Sequence, residues 1–389
     1  TAQTTSAGTG EKAAATAATA ASVATEETAV SPETIVETTP IEKFVAALYK
    51  NFLNRDPDEE ELIALSKSLS EKTMTAAGAI TDVLFSQEGS AADTARTSEA
   101  FISALYTAAL QREVSVPENV YWLSFLTANL TRKSILEGIL NSSEFKAKAL
   151  YAGMTPGEYH SDSILDQNPL VVGFVSRLYT ICLKRNPDPG GLMTWVDSLV
   201  SGKLSGSAVV WNFISSQEYQ GNWTDLDSYV EDLYQVFLGR GSDPAGKQDW
   251  VDRCRNGVSI RYLASGFAGS PEFAEICQKY GITPGSLALT EMRDLYPDCA
   301  ALVVSLYNRC LGRNYVIAGD DINNWVSRTV FGGSGTGLVR GFFYSDEYQN
   351  LERTNEEYVE DLYNAILLRS PDTHSQDWVD ALDAGTSRD

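Results

Sequence analysis

The residues most suggestive of chemistry stand at positions 185–191, Arg-Asn-Pro-Asp-Pro-Gly-Gly. A carboxylate between two prolines and ahead of two glycines has the makings of a tight metal loop. A calcium loop of the EF-hand kind needs acidic ligands at alternate positions and a closing glutamate, and this stretch supplies neither. The competing reading is a helix start. Asp188 can accept amide protons that the first helical turn leaves without partners, and Pro189 carries no such proton. The signature returns as Asp243-Pro244, and a tryptophan lies seven residues beyond each aspartate, at Trp195 and Trp250. Asp58 and Asp372 stand in similar places, and Ser115, a capable cap but a poor calcium ligand, holds the position once more. The pattern predicts helix caps.

Other reactive groups are sparse. His160 and His374 are the only histidines, too few for a histidine-rich metal site and poor material for a Ser-His-Asp triad. The five cysteines form no CxxC pair, which excludes zinc-ribbon and thioredoxin chemistry. Cys182 and Cys310 fall within predicted helices as small apolar residues. Cys254, Cys277 and Cys299 leave room for one disulfide, with Cys277–Cys299 the first choice. Phe331–Gly337, Phe-Gly-Gly-Ser-Gly-Thr-Gly, lacks a terminal Lys-Ser/Thr and follows no strand, so it reads as a flexible loop rather than a phosphate cradle. No catalytic residue, metal ligand or cofactor is predicted.

The elements that position these residues are repeats. Phe44, Phe101, Phe174, Tyr229, Leu302 and Tyr358 each open a six-residue segment ending in Leu-Tyr, and each segment leads to an arginine: Arg55, Arg112, Arg185, Arg240, Arg313 and Arg369. The steps between starts are 57, 73, 55, 73 and 56 residues. The alternation defines a pair of units of about 129 residues, present three times, with a Thr-Pro-Gly linker after units two and four at Thr155 and Thr283. The chain stops inside the sixth unit, before its expected third helix, which suggests a fragment of something longer.

Within a unit the apolar period is helical. Tyr229, Val230, Leu233, Tyr234, Phe237 and Leu238 make one stripe. A second helix is expected from Pro244 to a glycine cap at Gly257, a third behind Ser259, and a fourth behind Ser270. The expected fold is therefore all-α: tandem helical repeats of about 55 residues, some four helices each. The repeated arginine ends the first helix, and Glu144, Glu218, Glu272 and Glu347 are its expected partners in buried pairs that dock the fourth helix. Trp122, Trp195, Trp250, Trp325 and Trp378 recur at one helix-two position and read as core. Trp211 and Trp223 break that pattern and, with Tyr159 and the Thr-Pro-Gly linkers, are the candidate ligand-binding residues.

Residues 1–40 hold 11 threonines and 11 alanines without an aromatic residue, too little apolar area to offset chain entropy, so a disordered tail is expected there. The domain reading is a tail at 1–40 and repeat pairs at 41–168, 169–296 and 297–389. A formal charge of −22 disfavours nucleic acid and anionic lipid as partners, and no apolar run reaches the roughly 18 residues of a membrane span.

The units resemble the bacterial family catalogued as "domain of unknown function 4214". Phe174, Leu178, Tyr179, Arg185, Asp188, Gly191, Trp195, Ser216 and Glu218 carry the resemblance, as do Tyr229, Leu233, Tyr234, Arg240, Asp243, Gly246, Trp250, Ser270 and Glu272. Other units match in part: unit one lacks the tryptophan and unit two the aspartate. The resemblance implies helical modules of secreted or cell-surface bacterial proteins, with similarity to the envelope-anchoring helical regions of S-layer proteins. It carries no catalytic residues. The expected function is a non-catalytic extracellular protein that binds glycan or attaches a surface protein to the envelope. Its partners would be polysaccharide or other surface proteins. The alternative is a scaffold or filament acting through protein contacts and self-association.

Overall fold

The computed structural model describes residues 38–220, 222, 224–313 and 318–388. Trp223 and nearly all of the expected tail lie outside the described residues. Among the described residues every regular element is helical. The first helix begins at Pro40, where Thr39 and Glu42 exchange side-chain and backbone bonds in a capping box.

Unit four shows the common plan. A first helix (Leu226–Leu233) runs into a π-helical turn (Tyr234–Leu238), followed by helices Pro244–Arg255, Ile260–Ala268 and Pro271–Tyr280. Asp243, Ser259 and Ser270 accept the amide protons of the turns they open. Asp188 does the same for Gly191, Asp58 for Glu61 and Ser115 for Glu118. Asp372 departs from this plan. It receives the His374 amide in a tight turn, and the helix that follows, Ser375–Asp383, starts without a side-chain cap. The expected glycine loop of unit five is also shorter than its composition suggests: Ser334 caps a helix whose first turn includes Gly335 and Gly337.

The residue before each repeated arginine has a left-handed backbone: Asn54, Gln111, Lys184, Gly239, Gly312 and Leu368, with φ between 51° and 68°. This residue ends the first helix and throws the chain back toward the second. Only two of the six are glycine, the residue that adopts the conformation without a steric cost.

Buried apolar side chains gather into one cluster drawn from residues 44–154, a second from 165–287 and a third from 300–365. A strap closes each of the first two. After unit two, the carbonyls of Thr155 and Pro156 accept the Ala76 and Ala77 amides at 2.8 and 2.9 Å. After unit four, Thr283 and Pro284 do the same for Gly206 and Ser207. The Thr-Pro-Gly segment thus caps the third helix of the preceding odd unit, satisfying protons that a helix start leaves orphaned. Gly157 and Gly285 are required there, because a Cβ would fall 2.4 Å from Thr75 Oγ1 or 2.2 Å from Ser205 Oγ.

The strap then reaches the even unit. Asp294, on the short helix Met292–Leu295, is 2% exposed and accepts both the amide and the hydroxyl of Ser259, at 2.7 and 2.6 Å. Asp166 holds Thr131 in the same way. One segment therefore caps the third helix of both units of a pair.

All five cysteines are free thiols, so the expected Cys277–Cys299 bridge does not form. Cys277 is buried in the second cluster, whereas Cys299 packs against the third. Burial pushes the Cys277 thiol up to about 12.

The left-handed positions generate a prediction. Gln111→Gly, Lys184→Gly and Leu368→Gly should each stabilise the chain, by on the order of 0.5–1 kcal/mol. Gly239→Ala should destabilise it, since the backbone there has φ 68°, a left-handed conformation strained for any L side chain. Urea melts of the four variants check the signs.

Candidate functional site

Two arrangements stand out, and the first is the repeated arginine. In all six units its guanidinium lies over the ring of the Leu-Tyr tyrosine six residues earlier, 4.7–5.2 Å from the centroid. The left-handed residue between the two folds the arginine back onto the ring. Arg112, Arg185, Arg240 and Arg313 then bond Glu144, Glu218, Glu272 and Glu347 at 2.6–3.0 Å. Arg55 bonds Glu88, a partner hidden in the sequence by the Gly89 that follows it.

The partners are as expected, but their depth is not. These side chains keep between a quarter and a half of their surface in water. They join helix ends, where the long guanidinium reaches across the outside of the unit. Arg369 is tied instead to Asp372 at 2.7 Å.

The second helix meets this node in two ways. In units one and two its third position is a glutamate, Glu61 or Glu118, which makes two further bonds to the arginine. In units three and four that position is Gly191 or Gly246. A Cβ there would fall 2.4 Å from the hydroxyl of Tyr179 or Tyr234 and 2.8 Å from the capping carboxylate. The glycine of the Asp-Pro-x-Gly motif lets tyrosine and aspartate close on the helix start. The glutamate of the other units fills that space with a second carboxylate for the arginine.

The tryptophans complete the node. Trp122 and Trp325 donate Nε1–H to the hydroxyls of Tyr106 and Tyr307 at 2.8 and 3.0 Å. The rings of Trp122, Trp250 and Trp325 lie against Gly138, Gly266 and Gly341 of the third helix, where a Cβ would be 2.3–2.7 Å from Cη2. Trp378 is 63% exposed in a unit whose described residues include only the first two helices.

The second arrangement is a cleft of about 800 Å³ between the first pair and helix Pro189–Val200. Phe85 and Met193, both about half exposed, give it an apolar floor. Asp93, Asp162 and Asp197 line it together with Arg132 and Lys133. Lys133 sits 5.5 Å over the Phe85 ring and bonds Asp162, while Arg132 bonds Asp93 at 2.8 Å. Tyr159 stands beside it, its ring 6.1 Å from Phe85 and its backbone held on both sides by Asn141. Burial, with Asp162, Asp166 and Glu137 adding negative charge, pushes the Tyr159 phenol up to about 12.

Trp211 lies at the corresponding edge of the second pair. It is half-buried against the core, and Arg261 covers it at 4.6 Å. In the third pair Arg340 lies 5.6 Å over Tyr344. A cation on an aromatic ring therefore recurs on or just after the third helix of each odd unit, although its position and the residues supplying it change. Of the three candidate residues, Tyr159 borders the cleft, Trp211 belongs to the second copy of its edge, and Trp223 lies outside the described residues. Phe85 and Lys133 were missed because neither repeats as a residue type.

Among the described residues, no group of three or more His, Cys, Asp or Glu side chains is placed to hold a metal ion. None of the described helices is long and apolar enough to cross a membrane.

Fold and node together define a tandem helical-repeat protein whose modules are each clamped by one arginine. The family model described as "Domain of unknown function (DUF4214)" matches residues 82–149, 163–223, 221–277 and 339–389. The match covers more than half of the chain, which belongs to that family. A search of curated proteins returns no match.

The clamp makes stability depend on pH. Arginine hydrogen bonds hold Glu61 and Glu118 at about 2 against an ordinary value near 4.5, and lower Glu144 and Glu272. The folded values are depressed, so this contribution is complete above about pH 4.5 and is lost as pH falls toward 2. Glu118→Gln should flatten the acid side of the stability profile. At pH 7 it should cost about 1 kcal/mol or less, as half-exposed ion pairs do. Thermal melts across pH 2–7 check both.

Proposed function

We propose that the chain is a non-catalytic, secreted or cell-surface repeat protein that binds glycan or attaches a surface protein to the cell envelope. The observation that carries this reading is the cleft beside the first pair. It combines an accessible aromatic ring, apolar walls and carboxylates at its rim, the mixture a sugar needs. The C–H face of a pyranose would cover Phe85, and its hydroxyls would bond Asp162, Asp197 and nearby backbone groups. Exposed or half-buried aromatic rings at Trp211 and Tyr344 in the second and third pairs offer further contacts, and several contacts to one polymer multiply affinity.

The resemblance to envelope-anchoring regions of S-layer proteins supports the same direction. The net charge of −22 favours neutral over acidic polymers. No step of covalent chemistry is assigned to any residue. A second reading is a scaffold acting through protein contacts, since tandem modules that pack on their neighbours also build extended assemblies.

An array of bacterial cell-wall and plant polysaccharides, followed by calorimetry on any hit, tests the proposal. At least one polymer should bind saturably, and Phe85→Ala should weaken it about tenfold, or about 1.4 kcal/mol. A blank array, or binding indifferent to Phe85→Ala, would contradict it.

A further inference from the structure

Unit one departs from the arrangement that its neighbours share. Seven residues beyond the helix-two cap, where Trp122, Trp195 and Trp250 stand, it has Leu65. Six residues before the clamp glutamate, where Gly138, Gly266 and Gly341 stand, it has Asp82. In units two, four and five the indole fills the space between the second and third helices, with Cη2 against that glycine. In unit one a cleft of about 680 Å³ takes the corresponding place, between helices Glu59–Ser70 and Ala76–Leu84. Leu53, Leu65, Met74, Val83 and Tyr49 give it apolar walls. A smaller side chain leaves volume that its neighbours refill only in part.

Polar groups are left over with the space. Trp122 and Trp325 donate their indole N–H to the hydroxyls of Tyr106 and Tyr307. Among the described residues the equivalent Tyr49 hydroxyl has no hydrogen-bond partner, and the Asp82 carboxylate has neither hydrogen bond nor ion pair. Arg55, the cation on the lining, is taken up by Glu61 and Glu88. Glu60 and Asp82 add two further carboxylates, so the cleft is net negative. A concave site with apolar walls and a few placed polar groups is what a small molecule needs.

We infer that this cleft binds a flat aromatic cation: a ring that takes the place of the missing indole, with an N–H at one edge donating to the Tyr49 hydroxyl and a positive charge at the opposite edge paired with Asp82. The charge belongs at that edge because Asp82 replaces the glycine that elsewhere touches Cη2, the far corner of the indole. A free ring has no tether to the second helix, so it can stand off from Asp82 as a tryptophan side chain there could not. The inference does not rest on the glycan reading, since the two clefts share no lining residue.

The test uses the full 389-residue chain with 6-(aminomethyl)indole as probe, and indole and indole-6-carboxylate as its neutral and anionic counterparts, all read by calorimetry. The amine should saturate with Kd below about 1 mM, and the carboxylate should bind at least about tenfold more weakly. Asp82→Asn should weaken the amine at least about fivefold and change indole less than about twofold. Asp82 is exposed, so this variant keeps the fold. Leu65→Trp combined with Asp82→Gly rebuilds the arrangement of units two and four and should abolish binding of the amine and of indole, with circular dichroism showing that the variant is folded. No saturation up to about 10 mM would overturn the inference. So would equal binding of amine and carboxylate, amine binding unmoved by Asp82→Asn, or binding that survives in the folded double variant.

Discussion

Six times along this chain a guanidinium is folded back over a tyrosine ring, and the rest of each unit is arranged around that contact. The left-handed residue before the arginine makes the fold-back, and the π-helical turn found in four units carries the tyrosine to meet it. In five units the other edge of the guanidinium then holds the start of the fourth helix through a glutamate. Such exposed charge pairs add little free energy individually. Their effect is geometric: they fix where the fourth helix begins, so that Phe145, Tyr219, Phe273 and Tyr348 enter the core fully buried. Burying an aromatic side chain is worth about 1.5–3 kcal/mol, so packing supplies the stability that the arginine directs.

The second constraint acts between units. A third helix begins with amide protons its own turn cannot satisfy, and the strap supplies acceptors from a long way down the chain. Thr155 reaches back to Ala76, and Asp166 to Thr131, so one segment completes both halves of a pair. This accounts for the alternation of short and long steps in the repeat. The extra residues after units two and four are the strap.

Much of this was legible in the residues. Asp188 and Asp243 announced helix starts because a side-chain cap is a local interaction, decided within four residues. The glutamate partners of the arginines were found through the recurring Ser-x-Glu-aromatic element, yet a motif carries no information about depth, and the pairs proved to lie at the surface. The tyrosine under the arginine was available as an unvarying six-residue offset. The left-handed turn between them was concealed, since Asn54, Gln111, Lys184 and Leu368 occupy a glycine's conformation. The strap was visible as a repeated motif but not as a cap, because its bonds are backbone to backbone and leave no trace in side-chain type. Phe85, Trp211 and Tyr344 mark one edge with unlike residues, which a search for repeats passes over.

If the strap is what joins two units, then the pair of about 129 residues is the unit that opens and closes. Tandem repeats otherwise come apart one module at a time. Native-state hydrogen exchange in low denaturant, read by mass spectrometry, separates these cases. The account predicts that the amides of Ala76 and Ala77 exchange with the same opening free energy as those of the unit-two helices, and Gly206 and Ser207 with those of unit four. Odd units that open independently of the even units that follow them would contradict it.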